Sequence, residues 1–159
     1  MACAKTLGPN SRPLHVVSFE RDLDLLRFAR HHAKKFEHFT GFESAIDNIL
    51  ENNHWSDKKI TWDLRPGNFL EVIDNEIEKP HLIFFDPYSP NVNEEMWTTA
   101  CFKKIRDSSR QETNGGTSLY TYSQATRIRV ALINAGFFVG YGSSTGLKTE
   151  PTEASTVLK

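Results

Sequence analysis

The chain has 159 residues, with a hydrophobic fraction of 38%, a charged fraction of 25% and a formal net charge of −1. That balance suits one soluble domain with a real core; no apolar run reaches the roughly 18–20 residues of a membrane span, and no apolar signal core follows Met1. The overall charge does not advertise nucleic-acid binding, and Cys3 and Cys101 lack metal or redox spacing, which fits a tail thiol and a helix-packing thiol in a reducing, cytoplasmic compartment.

In chain order, Gly8-Pro9-Asn10-Ser11-Arg12-Pro13 is a turn by composition, and the β-branched run Leu14–Glu20 predicts a strand. Acids at Asp22 and Asp24 open a helix reaching about Phe36, and Thr40–Asn52 predicts a second, with Phe42, Ala45, Ile46 and Ile49 on one face. Lys59–Leu64 predicts a strand, Pro66-Gly67-Asn68 a turn, and Phe69–Ile73 the start of a short helix. His81–Asp86 is the clearest buried strand, followed by a loop over Pro87–Asn93. Glu94 to about Arg110 predicts a helix with Trp97, Ala100, Phe102 and Ile105 inward. After the Gly115-Gly116 turn come a strand at Ser118–Tyr122, a helix from Gln124 to Ala135 stopped by Gly136, and a strand at Phe137–Tyr141. The tail over 145–159 is polar and ends in a last strand near Ala154–Leu158. The alternation of strands and helices predicts an α/β architecture with a mostly parallel sheet.

Open α/β sheets bind ligands beyond the carboxyl ends of their strands, and three such ends carry polar residues here. Glu20, beside Arg21, is either an acceptor for a ribose diol or a first-turn helix acid, and taken alone the helix acid is the commoner case. Asn68 and Phe69 offer an amide for an adenine edge and a ring to cover the base; taken alone, Asn68 is more simply a helix cap. At Phe85-Asp86-Pro87-Tyr88-Ser89-Pro90 an acid closes an apolar strand, where it is costly without a task or partner. The two prolines stiffen the loop and remove backbone donors, leaving acceptors suited to holding an amine. The other reading of Asp86 is a cap on the next helix.

These motifs, in this order, resemble the MnmC-like methyltransferases, whose best-known members finish the aminomethyl group on the wobble uridine of certain tRNAs. The matching segments are Leu14–Glu20, Gly67-Asn68, Phe84–Pro90, Asn93–Thr98, Gly115-Gly116-Thr117, Thr121-Tyr122-Ser123, Arg129–Leu132, Ala135-Gly136-Phe137 and Gly146–Glu150. The resemblance implies a Rossmann-like class I fold and S-adenosylmethionine as cofactor, with no metal. It implies Glu20 and Arg21 at the cofactor ribose, Asn68 and Phe69 at the adenine, and Asp86 as the catalytic group beside the methyl donor with Pro87. Tyr88, Ser89, Tyr122 and Ser123 would line the substrate, and Lys148 would meet substrate phosphate. The family usually carries an acid where Asn68 stands.

A second departure concerns the opening strand and Gly-x-Gly-x-Gly turn of the family, which nothing before Leu14 supplies. The sequence therefore predicts a single, incomplete methyltransferase domain over 1–159, with 1–13 as the end of a truncated helix plus turn. A partner chain or a missing N-terminal segment would complete the sheet between the strands at Leu14 and His81, and cofactor binding without it would be weak. The leading reading is methylation of an amine on tRNA. The alternatives are an inactive remnant or interaction module, and a methyltransferase acting on a small-molecule or protein amine. The basic residues Lys103, Lys104, Arg106, Arg110, Arg127 and Arg129 fit solvated helix surfaces better than a phosphate-binding face.

Overall fold

The computed structural model describes residues 8, 10–36, 39–112, 115–142 and 151–158. The chain divides into two compact units, Met1–Val72 and Ile73–Lys159.

The first unit holds strands β1 (Leu14–Glu20), β2 (His54–Ser56) and β3 (Ile60–Pro66) in the order β1-β3-β2. β1 and β3 run parallel, with Leu14 opposite Ile60 and Glu20 opposite Pro66. β2 is antiparallel to β3 because only a short turn joins them. Asp57 builds that turn, its Oδ1 accepting the backbone N–H of Lys59 and of Ile60, each at 2.7 Å. Three residues are too few to show periodicity, so β2 was not foreseen.

Helix α1 (Asp24–His31) continues into a 3₁₀ turn at Ala33–Lys35, and helix α2 spans Glu43–Asn52. Ala45, Ile46 and Ile49 of α2 are buried as expected, with Ile60 and Leu64 of β3, and α2 packs on β2 and β3. It stops where Asn53 turns left-handed (φ 57°) and donates its N–H to Ile49 O at 3.1 Å. By contrast α1 buries none of its residues: Leu25 and Phe28 are exposed although they recur at helical spacing. Arg30 ties α1 to α2 through a two-pronged pair with Asp47, at 2.7 and 2.6 Å.

The second unit contains β4 (Leu82–Phe84), β5 (Ser118–Thr121), β6 (Phe138–Tyr141) and β7 (Thr152–Ser155) in the order β4-β5-β7-β6. Only β4 and β5 are parallel; β7 runs antiparallel to both β5 and β6. The sheets are thus mixed, not mostly parallel, because β7 returns between β5 and β6. The last strand begins two residues earlier than expected, and the segment before it, 143–150, lies outside the described residues.

Helix α3 (Phe69–Val72) closes the first unit, and α4 (Thr99–Asp107) and α5 (Thr126–Asn134) serve the second. The expected helix from Glu94 is broken. A 3₁₀ turn at Glu94–Trp97 ends at Thr98, whose extended backbone (ψ 157°) restarts the chain as the cap of α4. The break rotates the inward face, so Cys101 is buried with Trp97, Phe102 and Ile105, while Ala100 is exposed. Gly136 follows α5 at φ 93°, and a Cβ there would meet Arg106 Nε at 2.9 Å. Arg106 instead donates from Nε to Gly136 O at 2.8 Å.

β4 is the main departure. It was expected to be fully buried, yet Leu82 is 48% and Phe84 73% exposed. The reason is topological: among the described residues β4 has a strand partner on one edge only, and only one of its faces is covered. On that face Phe85 meets the rings of Trp97 and Phe102 edge-on, each with centroids 5.4 Å away.

Candidate active site

In the first unit, parallel pairing brings the ends of β1 and β3 together. Gly67 (φ 127°) donates its N–H to Glu20 O at 3.0 Å, and the rings of Phe19 and Phe69 meet edge-to-face at 5.0 Å. Glu20 and Asn68 therefore stand at one end of one strand pair, both exposed. Glu20 Oε1 accepts the N–H of Arg21 at 2.9 Å and of Asp22 at 3.3 Å, a local turn. Asn68 acts as a cap: its carbonyl oxygen accepts the N–H of Glu71 and Val72, and Oδ1 accepts from Leu70 at 3.2 Å. Its Nδ2 reaches Glu71 at 3.3 Å. These side-chain bonds are long.

In the second unit, β4 and β5 are parallel with Phe84 opposite Tyr120, so Asp86 and Tyr122 leave the sheet at the same end. Phe85 N–H donates to Tyr120 O at 2.8 Å, holding the two exits in step. The loop after Asp86 is pinned twice. Trp97 Nε1 donates to Tyr88 O at 2.9 Å, and Ser89 O accepts the N–H of Val92 at 2.8 Å and of Asn93 at 3.0 Å. Tyr88, Ser89 and Tyr122 are exposed, Pro87 is half-buried, and Ser123 is fixed by Thr152 Oγ1, which donates to its carbonyl at 2.6 Å.

Asp86 is exposed, so burial does not make its charge costly, contrary to the sequence argument. Nor does it cap the next helix; Thr98 Oγ1 does that for α4, accepting Cys101 N–H at 3.1 Å. Its side chain is exposed to solvent. Lys148 lies outside the described residues.

The basic residues are largely engaged within the fold. Lys104 pairs with Asp74, Lys103 with Asp107 at 3.4 Å, and Arg110 Nε donates to Lys79 O at 2.9 Å. Arg129 lies 4.6 Å over the Tyr141 ring and donates to Thr152. Among the described residues no group of three or more His, Cys, Asp or Glu side chains could hold a metal ion, and no helix is long and apolar enough to cross a membrane. A cluster of His15, His54 and Asp63, not legible in the sequence, joins three strands, one of them the unforeseen β2.

Residues 33–157 match the family described as S-adenosyl-L-methionine-dependent methyltransferase. The chain is 25% identical over 139 residues to the tRNA 5-methylaminomethyl-2-thiouridine biosynthesis bifunctional protein MnmC of Burkholderia mallei (strain SAVP1), covering 78% of this chain and 20% of that protein. It is 28% identical over 83 residues to the protein of the same name in Burkholderia pseudomallei (strain K96243), covering 52% and 12%. The fold is similar to the crystal structure of MNMC2 from Aquifex aeolicus, with a TM-score of 0.66 at 22% identity over 91% of this chain and 44% of that one. The chain spans about a fifth of the length of the first of these relatives.

Proposed function

Because this chain belongs to the S-adenosyl-L-methionine-dependent methyltransferase family, as an MnmC-like member with a Rossmann-like α/β fold, we propose that it transfers a methyl group to an amine, most specifically an aminomethyl group on a modified tRNA wobble uridine. The observation that carries the site is the parallel β4–β5 pair, which brings the exposed Asp86 carboxylate and Tyr122–Ser123 to one end of the sheet.

The residues at the β1–β3 end fit the adenosine part of S-adenosylmethionine. Exposed Glu20 offers its carboxylate for the ribose diol, with Arg21 beside it, and Asn68 offers an amide for the adenine. Phe69 supplies the apolar cover, and Gly67 supplies a bare turn. The cofactor would supply an electrophilic methyl group. The chain's part is positioning: Asp86 accepts an N–H of the amine, aligns the nitrogen lone pair and takes up the proton at a carboxylate oxygen. Pro87 withholds a backbone donor, while Tyr88, Ser89, Tyr122 and Ser123 shape the acceptor pocket, with Lys148 proposed for phosphate. Methyl transfer from this cofactor needs no metal, and its place is the cytoplasm.

The same reading treats residues 1–159 as one methyltransferase domain and adds a further strand on the outer edge of β4, from a partner chain or another segment. Exposed Leu82 and Phe84, on a strand that among the described residues is paired along one edge, support it, since such an edge invites a strand. The test is single-turnover methylation of an amine-bearing tRNA transcript alongside a small-molecule amine. Methyl transfer to the small amine alone would move the substrate class, and transfer to neither would leave an interaction module.

A further inference from the structure

Asp63 sits on β3, the central strand of the first unit, and is gripped from both sides. His15 of β1 approaches Oδ2 with Nε2 at 2.7 Å, and His54 of β2 approaches Oδ1 with Nδ1 at 2.6 Å. His54 is directly opposite Asp63, while His15 is opposite Thr61, two places back on the same face. One carboxylate thus joins all three strands.

A carboxylate can only accept hydrogen bonds. It therefore fixes the proton of His15 on Nε2 and that of His54 on Nδ1. The hydrogen bond from His54, then that from His15, holds the Asp63 carboxyl below the usual carboxylate range; burial opposes them, and the nearby charges of Arg65 and His15 help. Asp63 is consequently an anion throughout the range, around pH 6.5, where imidazoles commonly gain charge. Both a neutral ring and a charged ring can donate to it, so the clamp persists on either side of that range.

At the other end of the same strands stand Glu20 and Gly67-Asn68. The Gly67 N–H meets Glu20 O only in the observed β1–β3 register, and a slip of one residue would turn every side chain to the opposite face. We propose that Asp63 is a positioning residue whose two-histidine clamp fixes the β1–β3 register and so holds Glu20 and Asn68 as two halves of one nucleoside-binding edge. The nucleoside half rests on the proposed function; the clamp itself does not.

The decisive variant is Asp63→Asn, nearly isosteric, with one acceptor oxygen and one donor NH₂. At about pH 8 a neutral imidazole can turn an unprotonated nitrogen to that NH₂, and the clamp stays satisfied. Imidazoles that carry the second proton offer only donors, so with both rings in that form one must face a donor; about pH 5, below the usual imidazole range, tests that case. The readout is hydrogen exchange at the Gly67 amide of the whole chain, corrected for intrinsic rates. Wild type should keep its protection within about twofold between the two conditions. Asp63→Asn should match wild type at the higher pH and lose roughly tenfold at the lower. Equal loss at both pH values, no loss at either, or failure to fold at about pH 8 by circular dichroism would each overturn the clamp. Calorimetric titration with S-adenosylmethionine judges the second half. Affinity should fall only where Gly67 protection falls; unchanged affinity there would overturn the link to the nucleoside edge. If wild type bound no cofactor, the nucleoside assignment would fall, while the exchange result would still decide the clamp.

Discussion

The backbone N–H of Gly67 donates to the carbonyl oxygen of Glu20 at 3.0 Å, fastening the turn after β3 to the last residue of β1. Gly67 holds φ 127°, a conformation that a side chain rarely adopts, and a Cβ there would lie 3.2 Å from Val72 Cγ1. Gly67→Ala should therefore cost about 1–3 kcal/mol of stability, read by urea denaturation, and should weaken S-adenosylmethionine binding beyond what unfolding explains. A variant as stable as wild type would show that the turn relaxes without strain.

Asp86→Ala should lower single-turnover methyl transfer by about a hundred- to ten-thousand-fold, the usual worth of positioned proton transfer. Asp86 is exposed, and Thr98 rather than Asp86 caps α4, so circular dichroism should find the fold intact. Asp86→Asn keeps one acceptor oxygen and should retain part of the orientation while losing proton uptake. Wild-type turnover in Asp86→Ala would remove the carboxylate from the chemistry.

The elements that were legible in the sequence are those whose burial is local. Ala45, Ile46 and Ile49 on α2 face a core, and their spacing announced it. The failures came from tertiary context. Leu82-Ile83-Phe84 is apolar throughout, which reads as burial on both faces, yet among the described residues sheet order leaves β4 at an edge. α1 has helical spacing at Leu25 and Phe28, yet both stay exposed, Phe28 with the His32 ring 4.3 Å away. The break at Thr98 was hidden because its capping hydroxyl sits inside an otherwise continuous helical pattern. At the candidate site, the strand ends were legible because parallel strands put their polar residues at one end. The clamp at Asp63 was not, since it required β2, which is only three residues long.

The edge of β4 makes a direct prediction for hydrogen exchange. Phe85 N–H is bonded to Tyr120 O at 2.8 Å, so by the alternation of a strand the N–H of Phe84 points to the opposite side, away from β5. In the chain alone the Phe84 amide should exchange near the unprotected rate and the Phe85 amide much more slowly. If a strand is added on this edge by a partner, Phe84 should gain protection and its ring should lose solvent exposure. Strong protection of Phe84 in a dilute monomeric sample would contradict a free edge.

Cys101 links burial to alkaline stability. Its thiol is fully enclosed in α4, and burial pushes it up to about 12, with the Lys104 charge only partly opposing. A thiol whose pKa rises on folding contributes stability that is complete below the unfolded value, near 8.5. That contribution is lost as pH rises toward the folded value, because only the unfolded chain readily forms the thiolate. The expected result is a denaturation midpoint that falls with pH above about 8.5 in wild type and falls less steeply in Cys101→Ala. In the folded chain, alkylation of Cys101 at mildly alkaline pH should be roughly a thousandfold slower than in the unfolded chain, read by peptide mass mapping. Rapid modification without unfolding would mean that α4 opens readily and that Cys101 is not held in the core.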